Sequence, residues 1–377
     1  MTSHIDAAAL IKAVETERHH VVVDSYTPTW NELLSQFAAG DVKINPEYQR
    51  AFRWSLAQQT SYIESVLLNI PTPPLFFAET PDGKFEVIDG LQRFSTVIRF
   101  FSGELRSSAP GVMNSYANIG AGENDITVPS VLSGGPIING LLGVSRENIP
   151  DTLARTLRYA RVQVILLQKE SSSLARYNVF MRLNRAGTVL SNQEIRNCSA
   201  RLFSSQFANY LMVLGNEPCV KAALGLSDKE LAAMGAQECV LRLISFSHFS
   251  PLSQRIDEFL DAVMYECASS GFKLTSNIRK SIVRTFEVIS NAFPAGQAFR
   301  FLRSGEFKGA FSSNLFDIVA CGVYKNLAAC ESRGAAAMRK LIKDLHKQSE
   351  AIALTGAGSN TRAKMAGRTA FGIAWFK

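Results

Sequence analysis

The sequence predicts an α+β fold, a small mixed sheet with helices followed by an all-helical half, and three observations carry that reading. LFFAETPDGKFEVID (75–89) is two short apolar runs around Pro81-Asp82-Gly83, the pattern of a β-hairpin. LQRFSTVIRFF, directly after it, switches to helical period. From about residue 200 the patterning is almost all helical, as in KELAAMGAQECVLRLISF, QRIDEFLDAVMYECA and GAAAMRKLIKDLHKQSEAIA. With 377 residues there is enough chain for two cores, and the expected domains are 1–200 and 201–377.

In chain order, TPTWNELLSQFAAGDVKI reads as a helix with Trp30, Leu33, Leu34 and Phe37 on one face, ended at Gly40 and followed by a strand. Ser55 and Gln58 have capping-box spacing, and Ile63, Val66, Leu67 and Ile70 continue the helix over 56–69 until Pro71. The hairpin and its following helix come next. Residues 106–150 are rich in Gly, Ser, Asn and Pro, which predicts a long irregular insertion over the sheet. ARVQVILLQ (160–168) is a strand. SSLARYNVFMRLN is a serine-capped helix offering Leu174, Tyr177, Val179 and Phe180 to a core, and a Gly-containing turn and a cap at Ser191 then start another helix.

Composition excludes several classes. No stretch nears the roughly 18–20 apolar residues of a membrane span, and the N-terminus lacks the basic start and cleavage site of a signal peptide, so a cytoplasmic protein is expected. The six cysteines show no C-x-x-C pair and no zinc spacing, which makes them reduced core residues. A net charge of +7 suits a polyanionic partner such as DNA.

The chemistry concentrates in three segments. In DGLQR, Asp89 ends a buried strand, where an unpaired carboxylate costs several kcal/mol. Helix capping is one reason for it to be there. Arg93, in the first helical turn, opposes the helix dipole unless an anion is near, and a phosphate would supply one. In the second segment Tyr48, Gln49, Arg50, Arg53 and Trp54 set guanidinium groups beside aromatic rings, as phosphate clamps and solvated faces both do. The third holds Asn184, Gly187, Ser191, Glu194 and Arg196; Asn184 and Glu194 could hold Mg²⁺, or the set could be a helix cap with ion pairs.

The succession P-x-Y-Q-R-x-F-x-W, V-I-D-G-x-Q-R-x-x-T and L-N-x-x-G-x-x-L-S-x-x-E resembles the N-terminal domain of GmrSD-type (type IV) restriction systems, a family related to the ParB/sulfiredoxin nucleotide-binding fold, over about residues 40–200. ECVLRLISF, FLDAVM, LFD and NTRAKMAGR resemble the family's later landmarks. The resemblance implies a ParB-like nucleotide-binding domain in which Gly90 to Arg93 stand where ParB proteins contact a triphosphate. It implies a nucleotide-binding set of Gln49, Arg50, Asp89, Gly90, Gln92, Arg93 and Thr96, with Asp89, Gln92 and Arg93 catalytic and Asn184 and Glu194 toward Mg²⁺. Leu183 and Gly187 replace the Glu and Arg of the ParB metal box, a departure from its pattern.

The implied activity is Mg²⁺-dependent nucleoside triphosphate hydrolysis in an anti-phage or restriction system, acting on or with DNA beside a separate nuclease chain. No HNH nuclease is expected here, because His248 and His346 stand in no HNH-like context. The alternatives are a non-catalytic DNA-binding or adaptor subunit, with homo-oligomerisation open in either case, and a self-contained nuclease. Arg242 with His248, or Arg339 with His346, has the spacing of HEPN ribonucleases.

Overall fold

Thr29 and Ser55 each open a helix by the same device. The computed structural model describes residues 6–18, 20–44, 52, 54–80, 82–117, 125–187, 191–201, 204–251, 255–269, 272, 275–356 and 361–377. It comprises two units, Met1–Ala186 and Gly187–Lys377. The first unit runs α1 (Ala7–Arg18), β1 (Val23–Tyr26), α2 (Trp30–Ala39), β2 (Val42–Lys43), α3 (Leu56–Leu67), β3 (Leu75–Glu79), β4 (Phe85–Asp89), α4 (Leu91–Phe100), α5 (Ser102–Ser108), α6 (Pro110–Ser115), α7 (Asp151–Tyr159), β5 (Val164–Leu167) and α8 (Ser173–Gly187).

Reciprocal capping boxes, Thr29 with Glu32 and Ser55 with Gln58, satisfy the first amides of α2 and α3. Gly40 closes α2 in the left-handed conformation, as expected of it. The sheet is mixed, in the order β1-β5-β3-β4-β2. The 75–89 hairpin forms as predicted, β3 pairs parallel with β5, and β4 pairs parallel with β2. Phe94 on α4 lies at the centre of the core, with Trp30, Phe37 and Phe77 all about its ring at 6.0, 6.1 and 6.0 Å between centroids. Burying a ring of this size stabilises by about 1.5–3 kcal/mol, so the core itself fixes the helix that carries the DGLQR turn.

Three expectations are corrected. The segment 106–150 is not wholly irregular: it includes α6, and residues 125–150 dock on α3 and α4. Thr60 Oγ1 accepts from Ser133 N at 3.0 Å, Glu64 Oε1 accepts from Ile137 N at 3.0 Å, and Arg99 Nε donates to Val128 O at 3.2 Å. Buried polar side chains on the helices thus supply the partners that an irregular backbone needs. Strand β5 is shorter than 160–168, because Arg161 pairs instead with Thr29 in an isolated bridge. The 172–184 helix runs on to Gly187 and buries Tyr177, while Leu174 stays 44% exposed.

The second unit continues α9 (Asn192–Arg201), α10 (Ser205–Asn216), α11 (Pro218–Leu224), α12 (Asp228–Ala232), α13 (Gly235–His248), α14 (Ile256–Ser269), α15 (Ser276–Ala292), the hairpin β6 (Phe301–Arg303) and β7 (Glu306–Lys308), α16 (Ser313–Lys325), α17 (Leu327–Leu345), α18 (Ser349–Thr355) and α19 (Arg362–Trp375). Helix patterning is broken at Met234, which adopts φ 61°, and α17 is kinked at Gly334. Five of the six cysteines are buried and all are free thiols. Among the described residues no helix is long and apolar enough to cross a membrane.

Ion pairs run through this helical core. Arg196 is wholly buried and reaches Asp261 at 2.8 Å, Asp257 at 3.1 Å and Glu238 at 3.4 Å. Arg242 and Arg368 share Asp317 at 2.8 and 3.1 Å, with Asp317 and Arg368 at 0% exposure. Burial opposes the charge on Arg242, but its two bonds to Asp317 hold its pKa above the ordinary guanidinium value. Burial lowers that of Arg368, which has one bond to the shared carboxylate and the like charge of Arg242 beside it.

Candidate functional site

The strand-to-helix turn is built from Asp89, Gly90 and the first turn of α4. Gly90 sits at φ 94°, a left-handed conformation that favours glycine. A methyl there would collide with the Leu75 side chain and come within 3.2 Å of Arg93 Nη2. Gly90, and not Asp89, is the helix N-cap, and no side chain caps it. Helix capping is therefore not what the Asp89 carboxylate does. Its Oδ2 accepts from Arg93 Nη2 at 2.9 Å, one helical turn on.

Arg93 is held on a second side. Its Nη1 donates to Pro74 O at 3.1 Å and also to Pro73 O, carbonyls of the PTPP segment before β3. The anion inferred opposite this arginine is, within the chain, Asp89. A guanidinium has five N–H donors, and these three contacts leave some for an incoming acceptor. Accessibility favours the acid: the Asp89 side chain is 35% exposed and that of Arg93 11%. Tyr62 packs beside the turn against Trp54 and Trp30, and burial pushes its hydroxyl pKa up to about 12, with the Arg93 charge opposing the shift.

Gln92 and Thr96 face inward. Gln92 Oε1 accepts from Trp54 N at 3.1 Å, while Trp54 O accepts from Gln59 Nε2 at 2.7 Å, so two glutamines grip the backbone of one residue at the end of the Y-Q-R-x-F-x-W segment. Gln59 Oε1 in turn accepts from the buried Arg99 at 3.0 Å. Thr96 is 1% exposed and its hydroxyl donates to Gln92 O at 2.8 Å. The structure thus gathers Asp89, Gly90, Gln92, Arg93 and Thr96 at one turn; Gln49 and Arg50 lie outside the described residues. Sequence reasoning missed the Pro73 and Pro74 carbonyls and Gln59. The Pro-rich stretch before a strand was the available signal for the first pair; nothing local in the sequence marks Gln59.

Asn184 lies on α8, and its side chain is outside the described residues. Glu194 is on α9 in the second unit, 1% exposed. There it completes a capping box: Ser191 N donates to its Oε2 at 2.7 Å and Glu194 N donates to Ser191 Oγ at 3.2 Å. Among the described residues no three His, Cys, Asp or Glu are grouped as a metal ligand set. The cap occupies one carboxylate oxygen of Glu194, Oε2.

Both HEPN-like pairs have other occupations. Arg242 is locked to Asp317, while His248 Nε2 meets Tyr324 OH at 2.9 Å. Arg339 Nε donates to Ala292 O at 2.7 Å, the last carbonyl of α15, and His346 packs on Phe307.

The order of motifs, the mixed sheet and the left-handed glycine between Asp89 and α4 can now be set beside known proteins. Residues 31–200 match the family described as the GmrSD restriction endonuclease N-terminal domain. No curated protein matches the chain. The matched residues run from within α2 to within α9, and so hold the whole Asp89–Arg93 turn together with the Ser191–Glu194 cap.

Proposed function

We propose that this chain is the nucleotide-binding and hydrolysing component of a prokaryotic restriction-type defence system, acting on or with DNA and beside a separate nuclease. The match of residues 31–200 to the GmrSD N-terminal domain supports the system. The single observation that carries the activity is the Asp89–Arg93 pair at the uncapped start of α4. A triphosphate set there meets helix-terminal amides and the remaining Arg93 donors, where charge-assisted bonds are strongest.

A phosphate competing for Arg93 loosens Asp89 and frees its carboxylate to accept from a ribose hydroxyl or an attacking water. Gln92 transmits occupancy, because moving its side chain releases the Trp54 peptide. Mg²⁺ would come with the nucleotide and neutralise phosphate charge; no step is assigned to protein ligands for it. A hydrolysis panel of ribonucleoside and deoxyribonucleoside triphosphates, with Mg²⁺ and with EDTA, tests this. Wild type is expected to turn over at least one with Mg²⁺, and Asp89→Ala and Arg93→Ala to lose at least tenfold. Absence of both binding and turnover of every one of them by wild type would sink the proposal.

One observation favours a second reading, a non-catalytic DNA-binding or adaptor subunit: Arg93 and Gln92 are both tied to main chain without any ligand. That reading requires salt-dependent duplex binding that nucleotide leaves unchanged.

A further inference from the structure

The net charge of the chain is segregated. Residues 325–377 hold ten Lys and Arg against three Asp and Glu, so the whole of the +7 lies in the last 53 residues and residues 1–324 are balanced. Part of this excess is used internally. Arg368 is buried against Asp317, Arg339 caps α15, and Arg333 Nη1 donates to Phe376 O at 2.7 Å. Lys325, Lys340, Lys343 and Arg362 are exposed and form no ion pair among the described residues.

Helix α17 arranges these cations. Met338, Ile342 and Leu345 are buried, each at 1% or less, and fix which side of the helix faces the core. Lys340 and Lys343 lie on the opposite side, about one turn apart, and Lys347 follows just beyond the helix end. Asp344 offsets one charge by pairing with Lys347 at 2.7 Å. The exposed residues beside them are Ala336, Ala337 and Arg339, the last bonded to the end of α15. This face therefore lacks the aromatic and long aliphatic anchors on which protein–protein interfaces depend.

We infer that the solvent face of α17, with Lys340 and Lys343 at its centre, is a docking surface for the phosphate backbone of duplex DNA. Cations spaced along a helix neutralise neighbouring phosphates and release their counterions. Lys340 and Lys343 meet phosphates as point charges without a fixed fork geometry, so the surface binds duplex without regard to sequence and recognition lies elsewhere. The inference concerns the second unit and does not need nucleotide binding at Asp89.

The test is fluorescence anisotropy of the full chain with a random-sequence duplex of about 25 base pairs over 50–300 mM KCl. Lys340→Glu/Lys343→Glu is expected to weaken binding at least tenfold at 100 mM and to make the salt slope shallower by about two, near 0.9 per contact. The matched charge change Lys229→Glu/Lys280→Glu, at exposed sites elsewhere in the same unit, is expected to change affinity less than threefold. Equal losses in both double variants overturn the surface in favour of diffuse net charge. Full competition by poly-glutamate of equal charge overturns DNA in favour of an acidic protein. Nucleotide binding by Lys340→Glu/Lys343→Glu, followed separately with a fluorescent triphosphate, is expected to match wild type, so a failure here is distinct from a failure at Asp89.

Discussion

Two arginine–aspartate clusters, one in each unit, use the same chemistry to different ends. Arg93 and Asp89 meet at 2.9 Å with the acid 35% exposed; Arg242 and Arg368 meet Asp317 at 2.8 and 3.1 Å with the acid sealed from solvent. The first pair can be opened by a competing anion from solvent, at a cost set by partly screened charges. The second cannot be opened without stranding charge in an apolar core. Access, more than pairing, is what separates the proposed site from a structural tie.

Removing each acid is the sharpest way to break that comparison. Asp317→Ala leaves two buried guanidinium groups without their carboxylate and is expected to destabilise the second unit by about 3–5 kcal/mol in urea unfolding; a loss below about 1 kcal/mol would show the core relaxes around them. Gly90→Ala, forcing a side chain into a left-handed position against Leu75, is expected to cost about 1–3 kcal/mol and to weaken nucleotide binding as Arg93 is displaced. Asp89→Ala should cost under about 1 kcal/mol in stability, as a partly exposed pair, while hydrolysis falls at least tenfold. If its stability loss rivalled that of Asp317→Ala, Asp89 would be a structural tie as well.

The smallest effect is electrostatic. Burial holds His248 and His346 below their ordinary pKa of 6.5. The folded chain then binds fewer protons than the unfolded one, so their contribution is present in full above about pH 6.5 and is lost as pH falls through their folded values. Melting temperature should therefore drop on acidification from pH 7 to 5, and replacing His346 by Phe should flatten part of that slope. An unchanged slope in the variant would place the acid sensitivity elsewhere.

Legibility from sequence followed the range of the interactions. The Ser55–Gln58 box, the Gly40 stop, the 75–89 hairpin and the strand-to-helix turn at Gly90 are local, and each is readable from a few adjacent residues. What answers Arg93 was half-local: the need for an anion could be read, but not that a residue four positions earlier already meets it. The docking of 125–150 was illegible because its anchors, Thr60 and Glu64, look like surface residues of an amphipathic helix until the partner loop is in place. In the second unit ECVLRLISF, LFD and NTRAKMAGR could be seen as landmarks, yet only the fold shows that Glu238, Arg242, Asp317 and Arg368 are what they contribute to one buried network.

Glu64, 1% exposed, has a consequence for how the first unit breathes. One of its oxygens holds the amides of both Ile137 and Ile138, in a stretch with little regular structure of its own. Those amide hydrogens cannot exchange with solvent by a private fluctuation of the loop, since freeing them strands a carboxylate on α3. Their exchange rates should track the opening of α3, so that a segment shaped like a surface loop keeps time with the core.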